Sequence, residues 1–204
     1  MYIPKYYQIE DISAIRDFIE ENGFAILISQ ADGRPWATHI PLILDKNAEG
    51  GDVLAGHISK ANRQWEEFEN TKEVLAIFFG PHAYISSSWY DHENVPTWNY
   101  IAVHVYGNIR IIEGELLKKQ LSKLVDKYES TMKNPVSIAK MSKGFVDTEM
   151  RGIVGIEIEI KDIQAAVKLS QNRDEKNYKN IIKELEQTGD INSLEIARRM
   201  KNRK

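Results

Sequence analysis

The sequence predicts a mainly β, α+β fold: an antiparallel sheet closed or partly closed into a barrel, decorated by helices, with a polar helical appendage at its C-terminal end. Three observations carry this expectation. Short runs with two-residue alternation recur along the first two thirds of the chain, turn dipeptides separate them, and only a few stretches there have helical periodicity. So many antiparallel strands in one region would leave unprotected edges in a flat sheet, and closure removes them.

The chain opens with a helix. Ile12, Ile15, Phe18 and Ile19 fall on one face, and Gly23 follows where a helix would stop. "FAILIS" from Phe24 then changes period, Asp32-Gly33 supplies a tight turn, and "PWATHIPLIL" places Trp36, Thr38, Ile40, Leu42 and Leu44 on one strand face. The Gly-rich "DKNAEGGD" reverses the chain again, and "VLAGHIS" completes a three-strand meander. A short helix is expected in "KANRQWEEFENT", capped by Asn62. Strands follow in "VLAIFFG" and "AYISSSWY" on either side of Gly80-Pro81, and in "NYIAVHVYGNIRII". Leu117, Leu121, Leu124 and Tyr128 trace the stripe of a second long helix, and Pro135 is expected to start a shorter one. "IVGIEIEI" sets Ile156, Ile158 and Ile160 against Glu157 and Glu159, as if one face were wet. Beyond Arg173 the chain turns polar and helical, which divides it into a barrel domain, 1–173, and an appendage, 174–204.

The chain has 204 residues, 42% of them hydrophobic, enough to bury a core. It has no cysteine, which excludes disulfides, thiolate catalysis and Cys-ligated metal, so any redox chemistry must come from a cofactor. The N-terminus carries no leader pattern and no segment reaches a membrane span, so a cytoplasmic location is expected. A net charge of -3 gives no overall attraction to nucleic acid. The one basic cluster, Arg198, Arg199, Lys201, Arg203 and Lys204, also suits the C-terminal end of a helix dipole. Walker and Rossmann loops, a Gly-flanked nucleophile elbow, metal-ligand spacing of His57, His82 and His104, and a helix-turn-helix pattern are all missing from the sequence.

Three polar clusters lie on otherwise apolar elements. "GHISKAN" offers His57, Ser59, Lys60 and Asn62 where a strand enters a helix, the donor types a phosphate requires. The same residues also serve as an ordinary cap and solvated surface. "VPTWNYIAVHVYG" places Trp98, Asn99, Tyr100 and His104 after Pro96, at a strand edge or bend where aromatics can meet a ligand or simply pack. "KLSQN" ends the last strand with Lys168, Ser170, Gln171 and Asn172, which suit either a heterocycle's edge or a turn.

The strings "MYIPKYY", "LAGHISKAN", "FFGPHAYISSSWY", "VPTWNYIAVHVYG" and "VKLSQNR", in this order, resemble the PaiB family of FMN-binding negative transcriptional regulators from Met1 to about Arg173. The resemblance implies an FMN-binding split β-barrel, assembled as a homodimer with its flavin near the subunit interface. It implies FMN contacts at His57, Ser59, Lys60 and Asn62 for the phosphate and ribityl chain. Trp98, Asn99 and Tyr100 would approach the ring or ribityl chain, and Lys168, Ser170, Gln171 and Asn172 would close the site. Two places depart from the family pattern: Ser87 stands where a proline is expected, and Ala165-Ala166 where a Gly-Lys pair is common.

A regulator of protease synthesis and sporulation is therefore the first functional expectation, acting on DNA directly or through another partner. An FMN-dependent oxidoreductase acting on a small molecule is the second, although no dedicated catalytic residue stands out. A haem-binding barrel, using His57 or His104, is the third.

Overall fold

A computed structural model describes residues 1–31, 33–71 and 73–202. The opening helix, α1 (Ile12–Glu21), begins where Asp11 Oδ1 accepts the Ser13 N–H at 2.9 Å. It buries Ile15, Phe18 and Ile19, the stripe its periodicity demands. The expected meander follows as β1 (Phe24–Ala31), β2 (Arg34–Lys46) and β3 (Asp52–Ser59). Asp32 of the Asp-Gly turn lies outside the described residues; Gly33 has the positive φ, 73°, that such a turn uses.

The remaining elements are β4 (Glu73–Ile85), β5 (Thr97–Ile112), α2 (Gly114–Glu129), α3 (Lys143–Met150), β6 (Ile153–Lys168), α4 (Glu175–Gln187) and α5 (Ile191–Lys201). The strands close into a barrel in the order β1-β2-β3-β6-β5-β4. Ile26 faces Ile77 where β1 meets β4, and β3 runs antiparallel to β6 from Val53↔Glu159 to Ser59↔Ile153. Closure leaves none of the six strands with an open edge along its paired length, which is the physical reason so many antiparallel strands are tolerated.

Four local expectations are corrected. Gly80-Pro81 does not divide two strands: β4 runs through both, with Pro81 buried. Residues 60–71 form only a single 3-10 stretch, Arg63–Glu67, although Asn62 caps it as expected. Pro135 starts no helix. The chain there makes a 3-10 turn at Ile138–Lys140, and α3 starts after Ser142, whose side chain accepts the Phe145 N–H. Glu157 does not face water; it is 3% exposed and ion-paired.

Two compact units divide the chain, one of Met1–Phe18, Phe79–His104 and Gln164–Lys204, the other of Ile19–Phe78 and Val105–Ile163. In the second unit Leu27, Leu42, Leu54, Ile156 and Ile158 are fully buried on alternate strand positions. In the first, α4 and α5 bury Ile181, Leu185 and Ile196, and each helix is N-capped by an aspartate, Asp174 and Asp190. Among the described residues no helix is long and apolar enough to cross a membrane.

Candidate functional site

In the second unit the strand register sets the first cluster. Leu42 pairs with Gly56 and Ser59 with Ile153, so His57 and Ser59 project from one face of β3 beside β2. They line a cavity of about 310 Å³ together with Thr38, His39, Pro41 and Asn62. His57 Nδ1 is buried with no hydrogen-bond partner, and burial holds the imidazole below its ordinary pKa. A histidine with an unpartnered ring nitrogen, on the wall of a cavity with hydroxyl side chains beside it, is a candidate contact for a hydrogen-bonding ligand.

Asn62 is differently used. Its Oδ1 accepts the Gln64 N–H at 3.1 Å and its Nδ2 donates to Thr38 Oγ1 at 2.8 Å. Thr38 in turn donates to Gln64 Oε1 at 2.5 Å, and Gln64, fully buried, donates to Ser29 Oγ at 2.9 Å. The amide of Asn62 thus positions the chain after β3. Lys60 donates its backbone N–H to Gly152 at 2.9 Å, while its side chain lines a neighbouring cavity of about 320 Å³ with Trp65 and Arg151. His57, Ser59 and Asn62 therefore come together, with Lys60 on the adjoining cavity. Thr38, His39 and Arg151 were not foreseen, because only the β2–β3 and β3–β6 registers bring them alongside.

The other two clusters lie in the first unit. Trp98, 52% exposed, is 6.1 Å from the His82 ring and 5.7 Å from that of Tyr84, and His82 stacks on Phe79 at 4.8 Å. This is an open aromatic face, with Tyr100 half-buried on the same strand. Asn99 points the other way and is fully buried, accepting from Ser170 Oγ at 3.0 Å and donating to Met200 Sδ at 3.7 Å. Gln171 spends its amide on Tyr6 O at 3.0 Å, Val167 O at 2.6 Å and the Leu169 N–H at 2.6 Å. Lys168 Nζ donates to Thr97 Oγ1 at 2.6 Å and lies 5.9 Å from the Tyr7 ring centre. Burial first, and then Arg173, push its ammonium below the usual lysine range. Asn172 is exposed. Asn99, Ser170 and Gln171 thus brace strand ends, leaving Trp98, Tyr100, Lys168 and Asn172 as the members that reach a surface. His104 Nδ1 is buried without a partner, and burial and the N-terminal ammonium hold its pKa down.

The described basic residues of α5 are engaged in ion pairs. Arg198 and Arg199 each hold Glu195 at 2.7 Å, which depresses its carboxyl to about 2, and Lys201 meets Glu186. Arg203 and Lys204 lie outside the described residues.

A closed six-stranded antiparallel barrel flanked by helices is a split-barrel fold of the kind found in flavin-binding proteins. The chain belongs to the PaiB family, within the family described as "Putative FMN-binding domain", whose pattern matches residues 1–162. The cofactor is the one that description names, FMN. Protease synthase and sporulation protein PAI 2 of Bacillus subtilis is 44% identical over 203 residues, covering 100% of this chain and 98% of that protein. Among solved structures, the FAD and heme binding protein from Mycobacterium smegmatis aligns with a TM-score of 0.62 at 13% identity, over 79% of this chain and 73% of that one. The flavocytochrome Anf3 from Azotobacter vinelandii aligns at 0.59 and 18% identity, over 87% and 78%. At such identities these two likenesses concern the fold alone.

Proposed function

We propose that this chain is a cytoplasmic, homodimeric FMN-binding regulator of the protease-synthesis and sporulation type, with FMN carried by the barrel domain, 1–173, and 174–204 as its helical appendage. The observation that carries the flavin assignment is His57, whose Nδ1 has no partner, lining one cavity with Ser59, next to the cavity that the Lys60 side chain lines. An imidazole, a hydroxyl and an ammonium suit a phosphate, whose oxygens form the stronger, charge-assisted class of hydrogen bond. The donor set fits the phosphate through these three residues, and Asn62 supports them by holding the turn. Trp98, Tyr100, Lys168 and Asn172 are proposed as contacts to the ring or ribityl chain, with Asn99, Ser170 and Gln171 fixing their strand ends. When bound, FMN supplies electron-transfer chemistry that a chain without cysteine lacks.

The regulatory role rests on the 44% identity to the B. subtilis protein over full length. Its output is assigned to a partner other than DNA, because the chain carries a net charge of -3 and the basic residues described on α5 are engaged by Glu195 and Glu186. Exposed Phe79, Tyr84, Val95 and Trp98 supply apolar surface of the sort a second subunit covers.

Titrating FMN into the apo-protein, followed by flavin fluorescence, tests the cofactor site. Lys60→Ala should weaken binding roughly tenfold or more if the contact is charge-assisted, without lowering the melting temperature. Unchanged affinity in both Lys60→Ala and His57→Gln would remove this cluster from the flavin site. Light scattering of the eluting protein checks the dimer, and retention of promoter fragments at low salt would reverse the assignment of an indirect output.

A further inference from the structure

The first unit contains a larger cavity, on which Gln171 is the one member of the three polar clusters. It holds about 640 Å³, within the range of roughly 300–1,000 Å³ usual for small-molecule pockets. Ile101 and Val103 of β5 and Val167 and Leu169 of β6 line it on the sheet side, and Ile15 and Phe18 on the side of α1. It is a cleft open to solvent, and its mainly apolar lining is the kind that ligand pockets present.

Its outer wall is held in place. The segment from Tyr6 to Asp11 is fastened to β6 by the Ile9 N–H on Ala165 O at 3.2 Å and by the bridge between Gln8 and Ala166. Gln171 Nε2 grips the same segment at Tyr6 O, 3.0 Å away. A wall fixed by this bridge and by Gln171 forms the cavity before any ligand arrives, which lowers the ordering cost of binding.

Charge at the cavity's rim selects the ligand. Glu10 and Asp11 both line it, and the Glu10 side chain has no partner among the described residues. Among the described residues the one cation lining it is Arg199, whose Nε lies 2.7 Å from Glu195 Oε1. We propose that this cavity is a second ligand site, separate from the flavin contacts, that takes a small apolar molecule carrying a cationic amine, with the apolar body against β5, β6 and α1 and the ammonium at Glu10.

Two dyes that brighten on leaving water test this on the full chain: dansylcadaverine, which ends in an ammonium, and dansylglycine, which ends in a carboxylate. The wild-type protein should bind the cationic dye several-fold more tightly than the anionic one. Ala14 lines the cavity from an exposed position on α1, so Ala14→Trp should fill the space and weaken dansylcadaverine at least tenfold. Glu10→Lys, at an exposed position, should reverse the preference between the dyes, and thermal melting of both variants verifies that they fold. Saturating FMN should leave the dye affinity unchanged. The proposal is overturned if neither dye binds the wild-type protein or if the folded Ala14→Trp variant binds as before. Displacement of the dye by FMN, or indifference of both dyes to Glu10→Lys, would also overturn it.

Discussion

Arg110 closes on Glu157 through Nε at 2.8 Å and Nη2 at 2.6 Å, and Gln120 donates to the second carboxylate oxygen at 3.2 Å. The carboxylate is 4% exposed on its side chain while the guanidinium is 61% exposed, so the partner in water shields the one beneath. Removing the cation leaves a buried charge with a single amide donor. Arg110→Ala is expected to cost about 1–3 kcal/mol, less than a fully buried pair because Arg110 is solvated. Glu157→Leu should cost less than Arg110→Ala. Urea midpoints of the two variants check the order, and the reverse order would mean that the pair is net stabilising.

Ser170 occupies positive φ, 57°, and still donates its hydroxyl to the fully buried Asn99. The backbone strain there is compensated by that bond and by the grip of Gln171 on Tyr6 and Val167. Ser170→Ala keeps the strain and orphans Asn99 Oδ1, an expected loss of about 1–3 kcal/mol. Ser170→Gly relieves the strain while losing the same bond, so it should be the milder change. Thermal melts of the two variants decide, and equal losses would show that the strain is immaterial.

The burial of His57 and His104 gives stability a definite pH slope. Both imidazoles have folded pKa values below the ordinary one, so the unfolded chain binds protons first as pH falls. Their contribution is complete above about 6.5, the unfolded histidine value, and is lost as pH drops from there toward the lower folded values. The apo-protein should therefore have a lower denaturation midpoint at pH 5.5 than at pH 7.5. His57→Phe with His104→Phe should flatten that slope; a slope unaltered by the double replacement would assign it to other groups.

Much of the barrel was legible because its strands carry their own signals: the Gly-rich reversals and the alternation in β2 and β5 mark them locally. The errors fell where a distant partner overrides the local pattern. Glu157 breaks the apolar alternation of β6, and nothing near it in sequence announces Arg110 or Gln120 as the groups that allow its burial. Pro81 looks like a strand breaker, yet a proline is tolerated in a strand wherever its ladder donor is not needed. In the candidate site the residue types of "HISKAN" and "KLSQN" were visible, but how their amides are used was not. Asn62 and Gln171 turned out to be occupied by Thr38, Gln64, Tyr6 and Val167, contacts set by strand register and by the path of the N-terminal segment.

Gly155 faces His57 across the β3–β6 ladder, and only a glycine fits there. A Cβ at this position would lie 2.5 Å from Leu117 Cδ1 and 2.7 Å from the carbonyl oxygen of Ile112. Leu117 could rotate, but the carbonyl belongs to the end of β5 and cannot move without shifting the strand. Gly155→Ala is therefore expected to cost about 1–3 kcal/mol through overpacking, and to displace β6 where it runs beside His57 and Ser59. The variant should lose FMN affinity together with melting temperature, whereas Lys60→Ala should lose affinity alone. Calorimetry paired with flavin titration separates the two. A Gly155→Ala protein with native stability and native FMN binding would show that the end of β5 yields, and that this close approach does not shape the cavity.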